Sequence, residues 1–157
     1  MKKLFLLMGF VCLQFSMNAS TGHVYGKFYL APVSATQRAM AHFKLNYKEV
    51  SDASWYNAPD NSMYCIFHQD NTVNRVFYDG QGYWRFTLVS YSPSLLNEQV
   101  KELVNSHFEG YHISYINEIR SQYDEPIYMI NIENAGSIKV LKVANDEIEI
   151  KQDLVKE

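Results

Sequence analysis

Two successive stretches of this sequence follow the same order of patterns, and this order limits the fold more than any other feature. Each stretch begins with an amphipathic helical pattern and continues with short β-rich runs separated by turn residues. The two stretches span residues 34–91 and 92–153. Because helices and strands with one apolar side must cover each other, we predict an α+β fold. It consists of an antiparallel sheet with helices packed on one face, built from tandem helix-plus-meander units.

The helices are predicted from apolar spacing and from capping residues. Apolar side chains recur at helical intervals over 35–47 and again over 95–109. Both stretches are flanked by residue types that favour helix ends. The predicted caps are Ser34 with Gln37 as a capping box, Ser92 or Ser94 for the second helix, and Gly110 after its C-terminus.

Strands are predicted wherever β-branched and aromatic residues run between turn clusters. Asp70-Asn71 and the segment 79–82 are predicted to close hairpins, and Asn145-Asp146 to form a later turn. The predicted strands are 63–68, 73–78, 83–91, 111–119, 127–132, 138–143 and 148–151.

The first 19 residues have the order of a secretory signal peptide. A positively charged start precedes an apolar run at 4–13, and small or polar residues follow up to Ala19. This run is shorter than the roughly 20 residues that span a bilayer. We predict cleavage after Ala19, an N-terminal extended segment at 20–33, a single domain at 34–157, and no membrane span after cleavage. The protein is then expected to be periplasmic or secreted.

Charge and cysteine content exclude several classes of function. Without Lys2 and Lys3, which belong to the predicted signal peptide, 12 Lys and Arg remain against 17 Asp and Glu, a net charge of about −5. Nucleic-acid binding needs clustered cations that neutralise phosphates, so we expect no nucleic-acid partner. Cys65 is then the only cysteine of the exported chain, and no disulfide can form within it.

A resemblance to a known family rests on three groups of residues. The run 75–84 resembles the hairpin of PepSY-like proteins related to β-lactamase inhibitors, in which an aromatic residue and Asp precede Gly and Trp. Residues 110–113 resemble the Gly-Tyr-x-Ile that ends the family's following helix, and 128–130 resemble one of its closing strands. The resemblance covers residues 34–153. It implies a secreted or periplasmic domain of tandem helix–sheet units, and the related inhibitors block a hydrolase with a sheet face and loops. No residue of those inhibitory loops matches here, and their disulfides are absent.

The hairpin at 79–82 predicts which residues share a face of the sheet. If Tyr78 faces Tyr83 across a four-residue turn, strand alternation places both on the side away from the helices. The residues predicted on this open face are Asn74, Val76, Tyr78, Tyr83, Arg85 and Thr87. The residues predicted on the covered face are Phe77, Trp84, Phe86, Leu88 and Arg75, whose charge is out of place there.

Tyr78, Tyr83 and Arg85 are the candidate binding residues, because Tyr and Arg are enriched at protein interfaces. The same residues are also compatible with ordinary cross-strand pairing on a solvated sheet. Replacing them is predicted to lower the capture of a partner while the fold is preserved.

No catalytic residue, metal site or cofactor is predicted. Cys65 lies in a predicted strand and lacks the local signature of a Cys–His nucleophile pair. Asp79 offers one carboxylate where calcium takes about six or more oxygens, so it is predicted as a turn residue. His107 and His112 lack the spacing of a helical zinc site.

Together these features predict an exported, non-enzymatic binding module. Its partner is expected to be a protein or peptide of the cell envelope, with inhibition of an exported hydrolase as one form of that binding. The alternative is a periplasmic carrier that holds a small apolar ligand between sheet and helices, which requires a cavity there.

Overall fold

The computed structural model describes residues 33–156. The predicted signal peptide at 1–19 and the part of the extended segment at 20–32 lie outside this range. The described chain runs through one helix and four strands, and then repeats that order. Its elements are α1 (Ala35–Asn46), β1 (Ser54–Asn57), β2 (Met63–Gln69), β3 (Thr72–Tyr78), β4 (Trp84–Tyr91), a 3₁₀ turn (Pro93–Leu95), α2 (Glu98–His107), β5 (His112–Ser121), β6 (Ile127–Glu133), β7 (Ser137–Ala144) and β8 (Glu147–Val155).

The eight strands form one antiparallel sheet in chain order, so each strand pairs with its neighbours in sequence. Two of the connections are tight two-residue turns. Asp70 and Asn71 have φ of 49° and 61°, and Asn145 and Asp146 have φ of 51° and 59°. Paired positive φ angles match the twist of the flanking strands, and Asn and Asp tolerate them. The predicted antiparallel sheet and these two turns are confirmed.

The N-terminus of α1 is fixed by the predicted capping box. The Ser34 hydroxyl accepts a hydrogen bond from the Gln37 N–H at 3.2 Å, and Gln37 Oε1 accepts one from the Ser34 N–H at 3.0 Å. Further along the helix, the Phe43 ring packs edge-on against Trp55 and Phe67, with centroids 5.4 Å and 5.5 Å away. The helix is therefore anchored both at its start and through its buried side.

The predicted cap of α2 is wrong. The helix begins at Glu98, and the N-cap is Asn97, whose Oδ1 accepts a hydrogen bond from the Gln99 N–H at 2.9 Å. The predicted caps Ser92 and Ser94 lie in the preceding turn, where their hydroxyls are 2.8 Å apart. Asn and Ser are comparable as N-caps, so the residue types alone do not distinguish them. Within residues 33–156, neither helix has the length and apolar character to cross a membrane.

The buried apolar side chains form two clusters, one completed by each helix. Ala39 and Phe43 of α1 join side chains of β2 and β3, and Val104 of α2 joins side chains of β4 to β7. The α1 cluster comprises Ala39, Phe43, Met63, Cys65, Phe67, Val76 and Tyr78. The α2 cluster comprises Val89, Tyr91, Leu96, Val104, Ile116, Ile130, Ile132, Leu141 and Val143.

Candidate functional site

Tyr78 lies under α1 and not on the open side of the sheet. Its side chain is 1% exposed and belongs to the cluster that Phe43 completes. Its hydroxyl lies 3.1 Å from Nδ1 of His42, on the same helix. Val76, on the same face of β3, is fully buried. The prediction that Tyr78 contributes to an open face is therefore wrong, and Asn74, Val76 and Thr87 are likewise buried rather than open.

The prediction grouped Asn74, Val76 and Tyr78 with Thr87 correctly, but it assigned the helices to the opposite side of the sheet, because this face is the one that lies under α1. The pairing near the turn also differs from the prediction, and the first difference is the length of the hairpin loop. The Asp79 N–H donates to the Tyr83 carbonyl at 2.9 Å, so Asp79 rather than Tyr78 closes the turn opposite Tyr83. The loop therefore has three residues, 80–82, and Gly82 adopts φ of 82°. A three-residue loop with a left-handed last residue is a common hairpin connection. It moves the predicted pairing by one residue.

The second difference is a β-bulge in β4, which moves the pairing by one more residue, so that beyond it Phe77 shares a face with Phe86 as predicted. Tyr78 pairs with Trp84, but Phe77 pairs with Phe86, so Arg85 is an extra residue without a partner on β3. Because side chains alternate between faces, one inserted residue changes which side chains share a face beyond it. Trp84 consequently lies on the helix side, as predicted. Phe77 and Phe86 lie on the open side, contrary to the prediction.

The other two predicted binding residues are exposed but have different surroundings. Tyr83 is 52% exposed, and the Arg38 guanidinium of α1 lies over its ring, 4.5 Å from the centroid. Tyr83 therefore lies beside α1 and not on the open face, which corrects its predicted position. Arg85 is exposed and lines a groove together with Phe77 and Phe86. Its role in binding stays a prediction.

Four aromatic side chains form a stacked row on the open face, across β1 to β4. Ring centroids are 5.1 Å apart between Tyr56 and Tyr64, and 5.5 Å apart between Tyr64 and Phe77. Phe77 and Phe86 follow at 4.5 Å. Tyr56 is 45% exposed, and the other three rings are half-buried. We call these four residues the aromatic strip. Aromatic residues at such positions supply large contact areas with little loss of side-chain freedom.

The next row on the open face is aliphatic and contains one arginine. Register places Arg75 between Ile66 of β2 and Leu88 of β4, and continues through Ile119 to Ile127. All five side chains are half-buried. We call them the Arg75 row. The prediction assigned Arg75 to the covered face, whereas register places it half-buried on the open face between two aliphatic residues.

A groove of about 440 Å³ lies beside the aromatic strip at the ends of β3, β4 and β5. Its aromatic and aliphatic lining comes from Phe77, Tyr78, Phe86, Ile119 and Ile127. Its polar lining comes from Arg85 and from residues of the adjoining turns, namely Asp60, Ser62, Asp79, Ser121 and Asp124.

All three of these carboxylates accept hydrogen bonds from neighbouring groups, and Asp124 Oδ2 does so from the Ser121 hydroxyl at 3.0 Å. Asp60 Oδ1 accepts hydrogen bonds from the Ser62 hydroxyl at 2.6 Å and the Ser62 N–H at 3.1 Å, which lowers the pKa of Asp60. Asp79 Oδ1 accepts the N–H groups of Gln81 and Tyr83 at 3.0 Å and 2.9 Å. The predicted turn role of Asp79 is therefore confirmed. Asp60 and Asp79 shape the rim of the groove by ordering its turns.

Cys65, the residue considered for nucleophilic catalysis, does not lie on the open face. Cys65 is fully buried in the α1 cluster, and burial raises the pKa of its thiol to about 12. Because the thiolate is the reactive form of cysteine, such a thiol is a poor nucleophile. No group of three or more His, Cys, Asp or Glu that could hold a metal ion occurs within the described range. The open face offers contact area and charge.

The alternative function, a carrier of a small apolar ligand, requires a cavity between the helices and the sheet. Six side chains of the sheet facing the helices are fully buried: Cys65, Val76, Ile116, Ile130, Ile132 and Leu141. A cavity that could hold an apolar ligand would have to displace these packed groups. We therefore take the open face as the candidate functional site.

Comparisons with known proteins were made from both sequence and structure. No protein-family model matches the sequence. A search of curated proteins gave no significant match. Solved structures, in contrast, resemble it along most of its length. A DUF2874 family protein from Bacteroides ovatus has a TM-score of 0.62 at 14% identity, covering 75% of this chain and 85% of its own.

Two further solved structures resemble the chain to a similar extent. A BLIP-like protein from Bacteroides fragilis has a TM-score of 0.60 at 11% identity, covering 76% of this chain and 84% of its own. A protein from Bacteroides eggerthii, described as a candidate periplasmic protein, also has a TM-score of 0.60 at 11% identity, with coverages of 75% and 86%. The chain has a BLIP-like fold. At these identities the likeness concerns the fold alone, and the PepSY-like part of the resemblance stays a prediction.

Sequence reasoning missed the aromatic strip, although one signal for it was present. Arg75 and Phe77 are two residues apart on β3 and therefore share a face. Placing the charged Arg75 in water would have placed Phe77 beside it on the open side. Phe86 would have followed, because the predicted pairing already placed Phe86 on the same face as Phe77 and Arg75.

Proposed function

We propose that this protein is an exported, non-enzymatic binding module of the periplasm that engages a protein or peptide partner through the open face of its sheet. The aromatic strip is the observation that carries the proposal. Four stacked rings lie beside a row of four aliphatic side chains and Arg75, on the side of the sheet away from both helix clusters. Surfaces of this kind are typical of interaction sites.

The composition of the open face favours a protein partner over a small molecule. Tyr, Phe and Arg are the residue types enriched in protein interfaces, and the strip extends over four strands instead of converging on one enclosed pocket. The groove at its end adds a polar rim around an apolar lining. A rim of this kind surrounds the apolar centre of many interfaces.

The periplasmic location and the absence of enzymatic activity are supported by separate observations. The first 19 residues have the order of a signal peptide, and one structural neighbour is described as a candidate periplasmic protein. The buried thiol of Cys65 leaves the most nucleophilic side-chain type unreactive. The BLIP-like neighbour and the sequence resemblance both favour blocking of an exported hydrolase as the form that binding takes.

A photo-crosslinking amino acid, p-benzoylphenylalanine, placed at Tyr56 or at Tyr83 tests the binding face. The two positions are matched in residue type and exposure, at 45% and 52%, but only Tyr56 belongs to the aromatic strip. In cells that export the protein, we expect light-dependent adducts with a protein from Tyr56 and none from Tyr83. Adducts from Tyr83 alone would place the site beside α1 and contradict the proposal.

A second variant measures the energy of the contact once the adduct has been identified by mass spectrometry. Phe86→Ala is expected to weaken the affinity for the purified partner by about 30-fold, because truncation of a hot-spot aromatic costs about 2 kcal/mol. Tyr83→Ala should change affinity less than about threefold. If neither Tyr56 nor Tyr83 gives adducts with any protein, the proposed protein-binding function is wrong.

A further inference from the structure

Arg75 is a cation in the middle of the apolar part of the open face. Its register neighbours are Ile66 and Leu88, and Phe77 follows two residues along the same strand. Among residues 33–156 no carboxylate lies within 4.0 Å of its guanidinium, in contrast to Arg120, which pairs with Glu118. The charge therefore stands without an acidic partner between two aliphatic side chains.

The one side-chain hydrogen bond that Arg75 makes within the described chain orients a short polar relay. Nη1 of Arg75 donates to the Ser90 hydroxyl at 3.3 Å, and this hydroxyl donates to Asn117 Oδ1 at 2.7 Å. Because Oδ1 is engaged with Ser90, the amide nitrogen of Asn117 is left as a donor. A guanidinium carries five N–H donors, so most of those on Arg75 are also left for another acceptor. The relay thus places donors of two residues side by side.

This arrangement sets a condition on any partner that covers the aromatic strip. Arg75 lies in the row next to the strip, so a partner that packs on Tyr64, Phe77 and Phe86 also removes water from the guanidinium. A desolvated cation without an anion is strongly unfavourable, whereas a carboxylate placed against it restores the balance. Arginine and carboxylate also match geometrically through two parallel hydrogen bonds.

We infer that the partner presents an aspartate or glutamate, flanked by apolar or aromatic side chains, whose carboxylate binds Arg75 at the centre of the open face. This inference deepens the proposed function and rests on it. Arg85 is the less suitable anchor, because it lines its groove together with Asp60, Asp79 and Asp124. These three carboxylates would repel an incoming acidic side chain.

A random 12-residue peptide library displayed on phage, selected against the purified protein, provides the probe. We expect the enriched peptides to combine aromatic or aliphatic residues with one Asp or Glu at a constant position. Synthetic versions of such a peptide, with the acid intact or changed to Asn or Gln, are then compared by isothermal titration calorimetry. The neutral peptide is expected to bind the wild type about 10-fold more weakly or worse.

Measuring both peptides on Arg75→Gln completes a double-mutant cycle between Arg75 and the acidic residue of the peptide. With this variant the acidic and neutral peptides should bind with equal affinity, whereas Arg75→Lys should keep a preference for the acid. Arg38→Gln, on the helix side, serves as the control and should behave as the wild type. Thermal melting by circular dichroism verifies that each variant is folded before affinities are compared.

The outcomes separate this inference from the proposed function. Peptides that lose binding with Phe86→Ala but have no acidic preference would uphold the binding face and overturn the role of Arg75. An acidic preference that survives in Arg75→Gln and disappears in Arg85→Gln would overturn it as well. If no selected peptide depends on the aromatic strip, the proposed binding face itself fails.

Discussion

The imidazole of His42 stacks on the indole of Trp84, with ring centroids 5.6 Å apart and planes 14° from parallel. The same imidazole places Nδ1 3.1 Å from the hydroxyl of Tyr78. Trp84 and Tyr78 are register partners in β3 and β4, so one side chain of α1 contacts both strands of the hairpin. Burial raises the pKa of Tyr78, so its hydroxyl stays protonated beside the imidazole. Burial also lowers the pKa of His42.

The lowered pKa of His42 predicts a loss of stability on mild acidification. As the pH falls, His42 of the unfolded chain is protonated near its ordinary pKa of 6.5, whereas His42 of the folded chain is protonated only at lower pH. Protons therefore favour the unfolded state. The free energy of unfolding from urea titrations should therefore be highest above that pH and fall as the pH drops from 7.5 to 5.5. The fall should be shallower in His42→Gln.

His68→Gln is the matched control, because His68 is exposed at the end of β2. Its pH dependence should equal that of the wild type. Three carboxylates have lowered pKa values: Asp60, Glu133 and Glu149. Their protonation changes the free energy of unfolding only below about pH 5, outside this window. Identical slopes for His42→Gln and wild type would show that the stacked imidazole is not the titrating group.

Gly82 joins the hairpin loop to the start of α1. A Cβ built at this position would overlap the carbonyl of Ala35, and the residue has φ of 82°. Arg38 reinforces the contact by donating to the Gln81 carbonyl. Gly82→Ala is therefore expected to destabilise the fold by about 2 kcal/mol or more, through backbone strain and steric overlap together. Urea unfolding followed by circular dichroism measures the loss.

Two other glycines distinguish the cost of backbone strain from the cost of steric overlap. Gly110 also has a left-handed φ, of 79°, but a Cβ there meets nothing within 4 Å. Gly110→Ala should therefore cost only the strain, about 1 kcal/mol. Gly80 lacks a positive φ, and its Cβ would lie 3.5 Å from the nearest atom, the Asn61 carbonyl oxygen. Gly80→Ala should be close to neutral. Equal costs for Gly82→Ala and Gly110→Ala would refute the overlap with α1.

The elements of this fold could be predicted from the sequence because their signals are local. Apolar spacing and the capping box of Ser34 and Gln37 located α1, and Asp70-Asn71 marked a two-residue turn. Each of these depends on residues a few positions apart. The cap of α2 was misplaced because Ser94 and Asn97 are both good caps, and tertiary packing decides between them.

The face of each residue in β3 and β4 could not be predicted with the same ease. Side chains alternate with period two, so a single-residue shift reverses the whole face. Two such shifts occur here, the three-residue loop after Asp79 and the bulge at Arg85, and they cancel beyond the bulge, so Val76 shares a face with Thr87 as predicted. The wrong position of Tyr78 came from the side that the helices were predicted to cover, which depends on tertiary packing and not on strand register.

Glu118 is a buried carboxylate on the helix side of the sheet, and it is held by two partners. It is 6% exposed. Nε of Arg120 lies 2.6 Å from its Oε1, and Nη2 lies 3.1 Å from its Oε2. The Tyr91 hydroxyl donates to Oε2 at 2.7 Å. Without the Arg120 guanidinium, the Glu118 carboxylate would stay buried with only the hydrogen bond from Tyr91.

Arg120→Gln is therefore expected to lower the free energy of unfolding by about 1–3 kcal/mol, less than for a fully buried pair because the Arg120 side chain is 55% exposed. In the Arg120→Gln background, Glu118→Gln should recover part of that loss, because an amide beside an amide carries no buried charge. The exposed pair of Glu98 and Lys101 provides the comparison: Lys101→Gln should change stability by no more than about 0.5 kcal/mol. If the two Arg120 and Glu118 substitutions prove additive in urea unfolding, the carboxylate is solvated in the folded protein and the pair contributes nothing specific to it.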